Sequence, residues 1–349
     1  MATPSTLNFA LRARKLQVDL RRDGVPLTDM RGAAALELQF AGASGPPAQS
    51  SAGRAGIEPI EGPIEQRRVE PARAADTKIG FFLDGAQRTL SHCRVGIAPV
   101  TAVVAAVGIV QRNACEECTP APGSINLKHV WLVPGLDDPH LDRFRAAVLA
   151  AGMEVRDPLI GGDGMDEPAP SIDYTMLQER AYAAAKLVRQ EMEAETLAWF
   201  RSDLRYATDA RWLVVDGLLK RTQRRAIGVV KQFSDSYLSG RDEETLLALP
   251  PGHRTTAFVP DDRWRAGPTT LWYLRLWPAD GLDARHALIR VEVAAEVHTT
   301  AEIDEISSWL LAERTPRATG DERWATLLYP IHHLERMLKR AIDAQTRGW

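Results

Sequence analysis

Two kinds of pattern alternate along the chain: short apolar runs that stop at an acid or a breaker, and longer stretches whose apolar positions recur with helical spacing. The clearest run is Lys78-Ile79-Gly80-Phe81-Phe82-Leu83, closed by Asp84-Gly85, and Arg211-Trp212-Leu213-Val214-Val215 closed by Asp216-Gly217 repeats the design. Runs of this length and bounded in this way predict buried strands. They predict an acid at each strand's C-terminal end, with Gly85 freeing the backbone to turn. Further strands are predicted over 94–97, 101–111, 128–133, 226–231, 271–277 and 287–293. Helical periodicity predicts helices over 142–151, 174–204, 302–312 and 331–344. In the longest, Leu177, Ala181, Ala184, Val188, Met192, Glu195 and Trp199 fall near one face. Residues 5–37 read as a helix, with Leu7, Leu11, Leu16 and Leu20 among arginines. The stretch 41–76 is rich in Gly, Pro and Ser, which predicts an extended excursion, a small accessory or docking segment, or a plain linker.

Three early strands, a helix, another strand and further alternation predict an α/β fold with a mixed central sheet flanked by helices. RNase H-like nucleases use that order, with acids at the edge of the central strands. The division expected is 1–77 as N-terminal helix and accessory segment, and 78–349 as the main domain. Composition changes this little. The 349 residues carry a net charge of −3, so a nucleic-acid partner would have to be met by local basic patches. No apolar run reaches membrane-spanning length, and the N-terminus lacks a secretory apolar core; a cytoplasmic protein without a membrane partner is expected. Three cysteines, Cys93, Cys115 and Cys118, fit a reducing compartment.

Two acids carried to one sheet edge suit a hard divalent cation, which takes oxygen ligands. Asp84 and Asp216 are therefore the candidate metal ligands, although strand-ending Asp-Gly is also ordinary turn chemistry. A third carboxylate is expected from the helix 174–204, which offers Glu179, Glu191, Glu193 and Glu195. Glu195 shares the apolar stripe, Glu191 lies one turn before it, and Glu193 points elsewhere; all four would alternatively be surface charges. Lys231, at the end of its strand, could contact a scissile phosphate or reach solvent. Lys220, Arg221, Arg224 and Arg225 form a basic cluster after Asp216, able to hold a phosphate backbone or to lie solvated in a loop. Arg290 and Glu292 share a strand face, as a DNA-channel lining or as a mutual ion pair. Tyr329-Pro330 opens the last helix, where His332 or His333 could serve as base or outer ligand, or simply sit at a helix start. Cys115-Glu116-Glu117-Cys118 is a lone pair of thiols; His92, Cys93 and His129 would complete a zinc site only if folding gathered them, and a hairpin tip with free thiols is expected.

In order, the segments 81–85 (FFLDG), 214–220 (VVDGLLK), 227–231 (IGVVK), 289–293 (IRVEV) and 329–330 (YP) resemble the NurA nucleases over about residues 78–340. The resemblance implies an RNase H-like (Piwi-like) core and a homodimer. It also implies dependence on manganese or magnesium, and DNA-end processing beside a HerA-like hexameric ATPase, in repair or anti-phage defence. Carried over by motif, Asp84 and Asp216 match the two catalytic aspartates and Lys231 the strand lysine. Glu195 stands for the helix glutamate, and Tyr329 opens the closing motif. That motif places a histidine at about Met337 here, so His333 or His332 replaces it or the role is lost. The competing expectations are a DNA-binding scaffold subunit with weak or no activity, and a phosphatase acting on small esters.

Overall fold

The computed structural model describes residues 8–30, 36, 56–113, 117–160, 173–219, 224–231, 233, 236–261, 268–297, 299–314 and 324–349. Helix α1 spans Phe9–Arg22, with the Asn8 side chain accepting from Leu11 N at its start. It stops well short of residue 37. Gly24 takes a left-handed backbone (φ 81°) just past its end, and Pro26 follows, so the chain cannot continue the helix. Short strands β1 (Thr28–Asp29), β2 (Ile57–Pro59) and β3 (Gln66–Arg68) precede the long β4 (Ile79–Val95). Then come β5 (Ala98–Arg112), β6 (Cys118–Pro120), β7 (Asn126–Leu132), α2 (Pro139–Ala150) and β8 (Glu154–Arg156). Helix α3 (Tyr174–Ser202) and the single turn α4 (Leu204–Ala207) lead to β9 (Trp212–Asp216) and β10 (Ala226–Val230). The chain closes with α5 (Arg241–Leu247), β11 (His253–Thr255), β12 (Phe258–Pro260), β13 (Thr269–Arg275), β14 (Leu288–Ala294), α6 (Thr300–Glu313) and α7 (Tyr329–Thr346).

These strands form one mixed sheet in the order β2-β12-β13-β14-β10-β9-β4-β5-β7-β8. At its centre β4, β9 and β10 run parallel; β5 is antiparallel to both β4 and β7 on one side, β14 is antiparallel to β10 on the other, and β8 closes the β7 edge in parallel. The α/β class with a large mixed sheet and flanking helices is thus observed. One local expectation is corrected. The backbone does not turn at Asp84-Gly85: β4 is a single strand of 17 residues that continues to Val95 and returns through Gly96 as β5. What ends at Asp84 is the pairing with β9, whose last partners are Leu83 and Val215.

Side chains alternate across a strand, and the sheet faces are covered by different helices. Phe82, Ala86, Val104, Ala106 and Val214 pack with Leu334 and Leu338 of α7, Ile306 and Leu310 of α6, and α1 and α2. Phe81, Leu83, Val103, Val107, Leu213 and Val215 pack with Ala181, Ala185, Val188 and Met192 of α3. Residues 56–76 contribute to the same sheet, β2 pairing with β12 and β3 with β11. Among the described residues no helix is long and apolar enough to cross a membrane.

Candidate functional site

The alternation decides which side chains can meet. Asp84 shares the parity of Phe82 and Ala86, so its carboxyl lies on the α7 face. Asp216 shares the parity of Val214, and Lys231 that of Ile227 and Val229, on the same face. Parallel pairing of β9 with β4 and of β10 with β9 brings all three to one end of neighbouring strands. The Lys231 ammonium donates to Asp216 Oδ2 at 2.9 Å. Asp84 is buried and accepts from Gly85 N–H at 2.7 Å. Opposite it on β5 stands Gly108, where a Cβ would collide with Ile125 and stand in ordinary contact with Leu334 and Leu338 of α7, the helix that covers Asp84.

Burial is the main reason the Asp84 carboxyl is held well above the usual aspartate range. The neighbouring Asp216 charge adds to it, Lys231 opposes it, and Glu335 on α7 raises it further. Burial pulls the Lys231 ammonium down, but Asp216, Asp84 and Glu335 together outweigh that and keep it above its ordinary value. Glu335 is the acid that sequence patterning missed. Its carboxylate pairs with Lys339 at 2.7 Å and lies 4.0 Å from His332 Nδ1. Its position four residues before Lys339 reads as a surface helix pair, and only the fold reveals that this turn of α7 crosses above Asp84.

The glutamates of α3 lie behind the sheet from Asp84. Glu195 is exposed, because the buried stripe runs Val188, Met192, Thr196, Phe200 and steps past it. Each of those steps is four residues, whereas placing Glu195 inside needs a step of three. Glu179 is exposed, Glu191 pairs with Arg156 at 2.6 Å, and Glu193 pairs with Arg189 beside Gly85 on the α3 face.

Lys220 and Arg221 lie outside the described residues. Arg224 and Arg225 sit at the start of β10, where Ala226 pairs with Leu213. Because β9 and β10 are parallel, these arginines stand at the end remote from Asp216. Arg290 does not line an open channel. It is buried and bonded to the fully buried Glu292 at 3.0 Å, with its guanidinium 5.3 Å from the Tyr237 ring centre. Glu292 also accepts from Leu219 N at 3.0 Å, so this pair fixes the segment that follows Asp216. Tyr329 is exposed and lines a pocket of about 310 Å³ with His333, Arg112, Glu117, Cys118 and Glu313. Arg112 is at the β5 end beyond Gln111, which pairs with Phe81, so His333 serves a different surface from Asp84. His332 lies 4.0 Å from Glu335, whose charge acts on Asp84. Met337 packs against the core.

His92 and His129 stand in an aromatic cluster with Phe9, Trp131 and Trp349. Burial, with the Arg12 charge, pushes the His129 imidazole down to about 4. Cys93 is buried, its thiol pushed up to about 12, and Cys115 lies outside the described residues. Among the described residues no group of three or more His, Cys, Asp or Glu side chains is already arranged around a metal position. At the acid cluster the Lys231 ammonium takes up part of that place. The donor chemistry still suits a hard cation: carboxyl oxygens, one of them buried and short of counter-charge. No protein-family model matches the chain, and no curated protein sequence matches it.

Proposed function

We propose that the chain is a metal-dependent deoxyribonuclease with an RNase H-like core, acting on DNA ends as the NurA resemblance implies. The observation that carries this reading is the convergence of Asp84 and Asp216 from adjacent parallel strands on one sheet face, with Lys231 of the next strand bonded to Asp216 and Glu335 above. Three antiparallel strands, a helix, and then a strand parallel to the first is the order that the RNase H-like reading requires; β4, β5, β7, α3 and β9 follow it, with β6, α2 and β8 interposed before α3.

In this reading Asp84, Asp216 and Glu335 would hold manganese or magnesium, with Glu335 in the place first given to Glu195. Bound there, a divalent ion supplies an activated water and steadies the leaving oxygen. Lys231, already facing the acids, would meet the scissile phosphate and its growing charge. His332 would orient Glu335. The homodimer and the HerA-like ATPase belong to the proposal through the resemblance; a motor that feeds DNA would relieve this chain, at net charge −3, of binding it strongly alone.

A second reading, a DNA-binding scaffold subunit, is favoured by Met337 at the family's histidine position and by the ion pair of Lys231 with Asp216. The test is end-labelled linear DNA with manganese or magnesium, with and without a HerA-like ATPase, beside Asp84→Asn and Asp216→Asn. Cleavage by the native chain that both variants lose supports the nuclease. A folded native chain that cuts in no condition supports the scaffold. Hydrolysis of p-nitrophenyl phosphate without DNA cleavage points to a small-ester phosphatase.

A further inference from the structure

A pocket of about 260 Å³ opens at the other end of the same central strands, between the C-terminus of α3, the turn α4 and the starts of β9 and β10. Its floor is Leu213 and Ala226 with Phe200 and Tyr206, on the α3 face of the sheet. It therefore differs from the acid cluster in both strand end and sheet face. Its polar lining is Arg201, Arg211, Arg224, Arg225 and Asp209.

Four guanidiniums and one carboxylate leave a strong positive excess. The carboxylate is already committed: Asp209 takes Arg211 on both oxygens, at 3.0 and 2.7 Å from Nε and Nη2. Arg211 is held further by donating to Arg112 O at 2.7 Å, so its position is set in advance. Arg224 is 89% exposed and approaches Glu296 no closer than 3.7 Å, a contact that contributes little. The C-terminal end of α3 adds about half a negative charge, too little to offset the guanidiniums.

The backbone supplies an independent observation. Arg225 has φ 55°, a left-handed conformation that a residue with a Cβ rarely adopts. Glycine or asparagine would be the ordinary choice at this turn. An arginine at this strained turn, with its side chain lining the pocket, fits the strain that collects at ligand-binding turns. A planar guanidinium fork matches the oxygens of a phosphate. The volume is below the roughly 300 Å³ at which pockets for larger organic ligands begin, so a phosphate group with little of its ester fits best.

We propose that this pocket is a phosphate-binding site in which Arg201, Arg224 and Arg225 contact the anion and Asp209 fixes Arg211 beside it. The phosphate would come from a nucleic-acid strand or from a small phosphate or mononucleotide. The proposal goes beyond the nuclease reading and does not depend on it.

The test is binding in metal-free buffer with chelator, so that no cleavage intervenes. The probes are a fluorescein-labelled single-stranded oligonucleotide, pyrophosphate and deoxyadenosine monophosphate. The variant is Arg224→Gln with Arg225→Gly, the glycine relieving the left-handed turn so that the fold is kept. Arg143→Gln, on the exposed side of α2, controls for general loss of charge. The expected result is a loss of about tenfold or more for at least one probe in the double variant, with the control unchanged. Loss for the oligonucleotide alone, with a shallower salt dependence, assigns the site to a strand; loss for the small phosphates assigns it to a free ligand. Equal binding by native chain and double variant, equal losses in the control, or no binding of any probe by the native chain at millimolar concentration overturns the proposal.

Discussion

Folding takes the Asp84 carboxyl out of water and sets it against Asp216, so ionising it is harder in the folded chain than in the unfolded one. Between the ordinary aspartate value of about 3.9 and its raised folded value, the folded state holds the proton more tightly. Stability from this group is therefore present at low pH and declines as pH rises through that window. Asp84→Asn removes the liability. Its melting temperature should equal or exceed that of the native chain at neutral pH, by an amount worth on the order of 1 kcal/mol. It should also lose the decline with rising pH, beginning near the ordinary aspartate value, that is expected of thermal melts of the native chain. If the variant melts lower at pH 8 and no differently at pH 4, the buried charge is not the strained group inferred here. A divalent cation is the natural counter-charge. Manganese at 100 times its Kd should stabilise the native chain by about 2.7 kcal/mol, and should leave the melting curve of Asp84→Asn almost unmoved.

At the scale of elements, the question is which helix overlies the acids. The strands were readable from sequence because apolar runs such as Phe81-Phe82-Leu83 and Leu213-Val214-Val215 announce burial whatever their partners. The two aspartates were readable because each interrupts such a run. The third acid was not. A helix stripe fixes which residues face inward but not which sheet face the helix covers, and Glu195 misses even the stripe by one residue. Glu335 carries a local signal, a pair with Lys339, that hides its place above Asp84. Exchange separates the two: Glu335→Gln should lower DNA cleavage about 100-fold or more, the scale of losing one electrostatic stabiliser in a site, and Glu195→Gln should change it less than about twofold. Equal losses would return the role to α3. The connection after Asp216 is a second element-level device. A Cβ on Gly228 would lie 3.0 Å from Gly217 O and 3.0 Å from Leu219 N, both backbone atoms that cannot swing aside. Gly228→Ala should cost about 1–3 kcal/mol, the range for overpacking, measured by urea unfolding. Because that segment also carries the Leu219 bond to Glu292, the change should reach the Asp216 end of the strand.

At the scale of the whole molecule, residues 56–76, the described part of the stretch expected to be an excursion, are tied to the sheet by a buried ion cluster, which composition could not announce because Gly and Pro mark only where the chain bends. Arg254 on β11 is fully buried, and its guanidinium meets both Glu61 oxygens, at 2.7 and 2.8 Å, and Asp304 of α6 at 2.6 Å. Glu61 also accepts from Ala257 N at 2.6 Å. One carboxylate thus joins the 57–68 stretch to β11, to the start of β12 and, through the arginine, to α6. Burial alone would raise the Glu61 carboxyl, but Arg254 and the Ala257 amide outweigh it and hold it below the usual range. Its contribution is therefore complete above the unfolded glutamate value of about 4.3 and is lost as pH falls through the folded value. Deleting it leaves a guanidinium buried with Asp304 as its remaining acidic partner. Breaking a buried pair from one side costs about 3–5 kcal/mol, and Asp304, which is partly exposed, should hold the loss for Glu61→Ala to the lower end. The measurement is urea unfolding at neutral pH and again at about pH 3, well below the unfolded glutamate value. At neutral pH the variant should be less stable by about 3 kcal/mol, and its deficit should shrink as the native chain's Glu61 takes up its proton. A deficit that stays constant across that interval would mean that Glu61 acts by packing alone and that the charge on Arg254 is satisfied without it.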